Sequence, residues 1–254
     1  MTNISEYNRD AWDKQVAKGN AWTLPVSKEI IDNARQGIWE VVLTPQKPVP
    51  REWFPDLPGT DVLGLASGGG QQAPIFAAAG ANVSVLDNSG AQLQQDRKVC
   101  DENGLRIALI QGDMRDLSCF DSGSFDMVFN PCSVCFIPEL QQVFDESYRV
   151  LRPGGRLLAG FTNPFRFVFD EQKLEKGEMS VRHALPYADE THLDPAEVEQ
   201  LKSDGEPFMF SHSLENIIAG QIRSGFVLKG LFEDHYSDRV SEFLPDYFAT
   251  LAVK

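Results

Sequence analysis

Residues 61–70 read Asp61-Val62-Leu63-Gly64-Leu65-Ala66-Ser67-Gly68-Gly69-Gly70. An apolar run of strand length empties into three consecutive glycines, and Gln71 to Ala79 follows with helical character. Without Cβ atoms, the glycines let backbone N–H groups and the helix N-terminus approach a ligand closely, so the loop is expected to cradle something polar. The pattern then repeats. Asn82 to Leu86 reads as strand and Ala91 to Asn103 as helix; Ile107–Gln111 and Phe125–Phe129 read as further strands. Pro138 to Leu151 is helix, stopped by Arg152-Pro153-Gly154-Gly155, and Arg156 to Phe161 is a fifth strand. This alternation predicts a doubly wound α/β fold, a parallel sheet with helices on both faces and right-handed crossovers.

Upstream, all four tryptophans (Trp12, Trp22, Trp39, Trp53) fall before residue 59. Ser27 is placed to N-cap a helix whose apolar positions are Ile30, Ile31, Ala34 and Ile38, and Thr44 to Pro50 is a proline-punctuated linker. Residues 1–58 therefore read as an N-terminal helical cap and 59–163 as the core. Residues 164–206 have mixed charge and no clear period, as a lid-like insert would. Residues 207–254 complete the core with a helix (Ser213 to Ser224, ending at Gly225) and two strands, Phe226–Phe232 and Tyr247–Val253, readable as antiparallel neighbours.

The 254 residues carry 23 Lys+Arg against 37 Asp+Glu, a formal net charge of -14, which disfavours nucleic acid and anionic membrane as partners. The first residues, Met1 to Gln15, lack the basic and apolar regions of a secretory signal, so a cytoplasmic location is expected. Four cysteines, Cys100, Cys119, Cys132 and Cys135, are too few for a disulfide framework and are expected to be reduced. Cys132 and Cys135 form a C-x-x-C, but zinc needs two more ligands at suitable spacing, so no metal site is expected.

Two carboxylates follow the glycine loop at successive strand ends. Asp87 ends the second strand, about 20 residues on, where an acid in such folds accepts from both ribose hydroxyls. Asp113, in Gln111-Gly112-Asp113-Met114, stands at the same sheet edge and is placed to accept from an adenine amino group. Taken singly, a glycine cluster is often only a tight turn and an Asp after a strand only a helix cap. Together, at consecutive strand ends, they point to a nucleoside-bearing cofactor. Gly68, Gly70 and Ala73 also satisfy the dinucleotide fingerprint, so a nicotinamide-dependent oxidoreductase is a competing reading.

The run as a whole resembles the class I S-adenosylmethionine-dependent methyltransferases: Val62 to Gly70, Val85-Leu86-Asp87, Gly112-Asp113-Met114, Ser124 to Val128, and then Tyr148-Arg149-Val150-Leu151-Arg152-Pro153-Gly154-Gly155-Arg156-Leu157. The last motif separates this family from the dehydrogenases. The resemblance covers about Gly59 to Asn163. It implies a mostly parallel seven-stranded sheet with an antiparallel last strand, S-adenosyl-L-methionine as cofactor, and a small-molecule methyl acceptor. On the family pattern Ala66, Gly68 and Gly70 flank the methionine moiety, Asp87 holds the ribose, Asp113 and Met114 hold the adenine, and Asn130 lies beside the sulfonium. The cofactor-binding set is thus Trp22, Ala66, Ser67, Gly68, Gly70, Asp87, Asn88, Gly112, Asp113, Met114 and Asn130; Trp22 enters because an indole face attracts a cation. Two departures bear on the methionine end: Gly64 stands where the family usually has an acid, and Ala66 where its first glycine would fall. They keep a non-catalytic cofactor-binding module in view.

Asn130-Pro131-Cys132-Ser133 lacks the second proline and the aromatic of the amine-methylating signature and reads as a polar strand end. His183 and His192, in the insert, are candidate general bases for a hydroxyl acceptor, although a lone histidine is more commonly a satisfied surface residue. Arg182 is a candidate clamp for a substrate carboxylate.

Overall fold

The computed structural model describes residues 3–236 and 239–254; Met1 and Thr2, with which the N-terminal reading begins, lie outside the described residues. Two helices come first, α1 (Ile4–Lys18) and α2 (Lys28–Arg35). The Ser27 hydroxyl caps α2 by accepting from the Ile30 N–H, as its sequence position predicts. Gly37, at φ +82°, follows the end of this helix, which stops at Arg35. The buried face of α2 is therefore Ile31 and Ala34 alone. Ile30 and Ile38, expected to share it, are exposed, the latter because it lies beyond the last helical turn.

The core then runs β1 (Asp61–Leu65), α3 (Gln72–Ala78), β2 (Asn82–Asp87), α4 (Gly90–Asn103), β3 (Ile107–Gln111), β4 (Phe125–Asn130), α5 (Gln141–Val150) and β5 (Leu151–Thr162). Three short helices follow in the insert, α6 (Glu171–Leu174), α7 (Asp189–His192) and α8 (Pro195–Asp204). The chain closes with α9 (Gly220–Arg223), β6 (Val227–Asp234) and β7 (Tyr247–Val253). The seven strands form one sheet in the order β3-β2-β1-β4-β5-β7-β6. All neighbouring pairs through β5 are parallel, and β7 is antiparallel to both β5 and β6.

Alternation within the strands divides two apolar layers. Val62, Val85, Met127 and Phe129 pack toward α2 and α3, while Leu63, Leu65, Val128 and Leu157 pack toward α5. Covering both faces is what lets parallel strands read as continuous apolar runs. The strand order reverses between β1 and β4, and in open α/β sheets the crevice outside those carboxyl ends is where ligands bind.

Three local expectations need correction. Ile137 and Leu140 both turn into the core, so the helix expected from Pro138 begins only at Gln141. Arg152-Pro153-Gly154-Gly155 does not separate helix from strand: β5 starts at Leu151 and passes through it, with the register against β4 shifting between Phe125 and Met127. The helix expected over Ser213–Ser224 is a π turn, Glu215–Ala219, followed by the short α9. At that junction Gly220 meets the Phe144 ring, 3.1 Å from where a Cβ would stand.

Candidate active site

A cavity of about 940 Å³ opens at the carboxyl edge of the sheet. Among the residues expected to hold a cofactor, its wall brings together Trp22, Ala66, Ser67 and Gly68 from the N-terminal side. Asp87, Asn88, Asp113 and Met114 complete that half. Gly70, Gly112 and Asn130 stand behind the wall. The Asn130 side-chain amide donates to the Leu65 carbonyl at 2.7 Å and to the Ser133 hydroxyl at 2.8 Å, bracing the ends of β1 and β4.

The glycine loop works differently from the cradle its composition suggests. Gly68 N–H donates to the Asp87 carboxylate at 2.9 Å, Gly69 N–H to the Gln92 carbonyl at 3.0 Å, and Gly70 N–H to the Asp96 carboxylate at 3.2 Å. All three amides turn inward. The glycines instead permit close packing: a Cβ on Gly68 would stand 2.8 Å from the Gln92 Cβ, and one on Gly70 2.9 Å from the Gln95 carbonyl oxygen. A dinucleotide pyrophosphate needs such amides free and pointing at it, and two of these three are held by acids.

The two departures at the methionine end have a geometric explanation. A Cβ on Gly64 would fall 2.4 Å from the Ser67 hydroxyl oxygen, so the missing side chain is what admits Ser67. That hydroxyl is buried on the cavity wall and has no hydrogen-bond partner among the described residues. Ala66 has φ +47°, the left-handed conformation a glycine would adopt without strain.

Asp87 accepts from Gly68 N–H through one oxygen and from Ser89 N–H at 2.9 Å through the other, leaving each a further lone pair. Burial pushes its carboxyl up to about 6, with Asp13 adding to the rise and the two N–H bonds opposing it. Asp113 is more heavily engaged. Arg115 grips it in a fork at 3.0 and 2.7 Å, and the Ser5 hydroxyl donates at 2.9 Å from α1. Burial alone would raise this carboxyl, but those bonds outweigh it and hold the group below the ordinary range. Ser5 also ties α1 to Asn88, whose amide donates to the Ser5 carbonyl at 2.7 Å. With the Arg115 backbone N–H also donating at 2.9 Å, each Asp113 oxygen accepts two bonds, so an adenine amino group reaches this carboxylate only where Ser5 gives way.

The cavity continues beneath the insert, where Thr162, Phe167, Tyr187, Asp189 and Tyr247 line it together with Cys132 and Cys135. Tyr187 O–H donates to Asp189 at 2.6 Å, and Met209 N–H donates to the other carboxylate oxygen at 2.6 Å. Sequence reasoning missed this pair; nothing in the irregular insert marks it except the spacing of two. His183 lines the cavity against the Tyr187 ring, centroids 4.8 Å apart, and burial followed by the nearby Arg182 charge lowers its pKa, so the imidazole is neutral near pH 7. His192 lies behind it, off the wall, where its Nδ1 receives the Ala188 N–H at 3.2 Å. Arg182 is not available as a carboxylate clamp: Glu197 occupies its guanidinium fork with two contacts of 2.6 Å.

The model for a methyltransferase domain matches residues 63–159. Over 254 residues, the whole of both chains, the protein is 44% identical to the uncharacterized methyltransferase YbaJ of Bacillus subtilis (strain 168). The demethylmenaquinone methyltransferase of Clavibacter sepedonicus is 35% identical over 107 residues, 42% of this chain and 43% of that one. Among solved structures, an S-adenosylmethionine-dependent methyltransferase from Mesorhizobium loti superposes with a TM-score of 0.63 at 18% identity, over 80% of this chain and 95% of that one.

Proposed function

Because the chain belongs to the class I S-adenosylmethionine-dependent methyltransferases, we propose that it methylates a small-molecule acceptor seated in the insert-lined half of the cavity. The observation that carries this reading is the continuity of one cavity from Asp87 and Asp113 to Tyr187 and Tyr247. Its volume is at the upper end of the ~300–1,000 Å³ usual for small-molecule sites, room for a cofactor and a second small molecule together. The relative named for demethylmenaquinone methylation acts on a small molecule, which supports the same class of acceptor.

The residues fit the cofactor. The Ser67 hydroxyl, unpartnered among the described residues, and the Ala66 backbone would meet the methionine end, Asp87 the ribose hydroxyls, and Met114 the adenine, whose amino group Asp113 would receive in exchange for Ser5. S-adenosylmethionine supplies an electrophilic methyl group when bound, so the protein needs no nucleophile of its own. Its residues position and desolvate. The helix α1 reaches across the cofactor edge: Ser5 contacts Asp113, and Asn8 donates to the carbonyls of Phe136 (2.7 Å) and Phe208 (3.0 Å), which shields that edge from water. His183, neutral and on the wall of the acceptor half, is placed to take a proton where the acceptor atom carries one. The nicotinamide alternative is not retained, since family membership and the inward-turned amides both speak against it.

The test has two parts. Calorimetric titration of the ligand-free protein with S-adenosylmethionine, S-adenosylhomocysteine and NADH should show binding of the two sulfur nucleosides and none of NADH. Methyl transfer from labelled S-adenosylmethionine into size-fractionated cell extract should then label the low-mass fraction. Label confined to protein or nucleic acid would overturn the small-molecule assignment.

A further inference from the structure

Asp96 is an unexpected residue to find inside this protein. It lies on α4, is fully buried at 0% exposure, and no lysine or arginine bonds to it among the described residues. One carboxylate oxygen accepts from Gly70 N–H at 3.2 Å, and the other has no hydrogen-bond partner among the described residues. The backbone above it explains why an acceptor is needed. Gly69 and Gly70 have φ of +106° and +72°, so the loop turns left-handed just before α3 and carries its N–H groups away from β1 and from α3. A buried N–H without an acceptor is costly, and α4 supplies the acceptors: the Gln92 carbonyl for Gly69 and, one helical turn later on the same face, Asp96 for Gly70.

We propose that Asp96 is a positioning residue of the cofactor loop, holding the Gly70 amide down onto α4 so that Ala66, Ser67 and Gly68 are presented to the methionine end of S-adenosylmethionine. The inference rests on the functional reading above. It goes beyond it by assigning a role to a side chain that touches neither cofactor nor acceptor. The contact also bears on ligand choice: with its amide held by Asp96, Gly70 has no free N–H to offer a pyrophosphate.

The experiment compares the wild-type protein with Asp96→Asn, which keeps an oxygen acceptor, and Asp96→Ala, which does not. Two quantities are read: the calorimetric Kd for S-adenosylhomocysteine and the hydrogen exchange of the Gly70 amide in the ligand-free protein. Asp96→Ala is expected to weaken binding and speed Gly70 exchange by about tenfold or more each, and Asp96→Asn to stay within about threefold on both, since leaving a buried N–H without an acceptor costs about a factor of ten or more while the Asn oxygen still accepts. A residue that only stabilises the fold would instead speed exchange throughout the sheet and leave the Kd of the folded protein unchanged. That pattern, or a folded Asp96→Ala with wild-type Kd and wild-type Gly70 exchange, overturns the proposal. Where Asp96→Ala fails to fold, fast Gly70 exchange in the wild type or a loss above about tenfold in folded Asp96→Asn does so. If the wild type binds neither sulfur nucleoside, the functional reading falls while the exchange measurement still judges the Asp96 contact.

Discussion

Lowering the pH should release the cofactor, because the Asp87 carboxyl is pushed up to about 6 by burial. A ribose hydroxyl donates to a carboxylate more strongly than to a protonated acid, so binding favours the ionised form. Near pH 7.5 the ligand-free protein is almost wholly ionised at this site; near pH 5 about one molecule in eleven is. Affinity for S-adenosylhomocysteine should therefore fall about tenfold, or about 1.4 kcal/mol, between those pH values, with the bend near 6. The groups around Asp87 are Asp13 on α1, which raises its pKa, and Asp96 on α4, whose pKa burial followed by the Asp87 charge puts well above the ordinary range. Asp113 is held low by Arg115 and stays ionised throughout, and Asp96 does not line the cavity, so the step is expected at Asp87, the carboxyl that meets the ligand. For the ligand-free fold the sign is opposite: a raised carboxyl contributes stability below 3.8 that is lost as pH rises through about 6, about 3 kcal/mol in all, a cost to folding that is already incurred before the cofactor binds at neutral pH. Calorimetric titration across the range measures the affinity, and Asp87→Asn should bind about 1–3 kcal/mol more weakly with no bend. A wild-type affinity that is flat down to about pH 5 would refute the reasoning.

Gly70→Ala forces a Cβ to within 2.9 Å of the Gln95 carbonyl oxygen at a φ of +72°, and should cost about 2–4 kcal/mol in urea unfolding; a loss below about 1 kcal/mol would show that α4 yields easily. Ala66→Gly relieves a left-handed alanine and should raise stability by about 0.5–1 kcal/mol after the entropy of glycine is subtracted, so a less stable variant would contradict the strain at φ +47°. Tyr187→Phe leaves Asp189 only the Met209 N–H and should destabilise the fold by about 1–3 kcal/mol while leaving the S-adenosylhomocysteine Kd unchanged; a weakened Kd would mean that the cavity is not divided as described. Ellman's reagent near pH 8 should find one fast thiol, the exposed Cys119, and three slow ones, because burial pushes Cys100 up to about 11, Cys135 up to about 12 and Cys132 well above its ordinary value; a second fast thiol that is lost in Cys132→Ser or Cys135→Ser would make the C-x-x-C reactive.

What could be read from the sequence was whatever depends on local periodicity. The central strands β1 and β4 are short, apolar and largely buried, and the edge strand β3 still reads as an apolar run although none of it is fully buried, so β1 to β4 announce themselves; Asp87, Asn88 and Asp113 reach the cavity because strand ends in this topology must. Tertiary demands were invisible. Nothing local says that Ile38 lies past the end of α2, or that Pro138 precedes its helix by three residues because Ile137 and Leu140 are needed in the core. The glycine cluster shows the limit best: its composition predicts the close approach of a ligand, and the group that approaches Gly68 and Gly70 is α4. The same three glycines would have looked alike with their amides facing outward. Arg182 was legible as a cation and illegible as a partner of Glu197, fifteen residues on across the insert.

The direction of those amides bears on how a sheet of this kind chooses its ligand. A loop whose N–H groups point outward adds partial positive charge to the end of a helix dipole and suits a pyrophosphate. Here α3 has seven residues and no side-chain cap, while the carboxylates of Asp87 and Asp96 take the Gly68 and Gly70 amides. The amides that would face a pyrophosphate are thereby occupied from beneath, and the cavity wall carries Asp87, ionised near pH 7.5, beside an Asp113 already paired with Arg115. Such a surface is suited to a ligand that carries a sulfonium and an ammonium and no phosphate. The direction of the amides is set by two aspartates rather than by the glycines, so Asp87 and Asp96 are the positions at which a dinucleotide-type loop and this one should be compared.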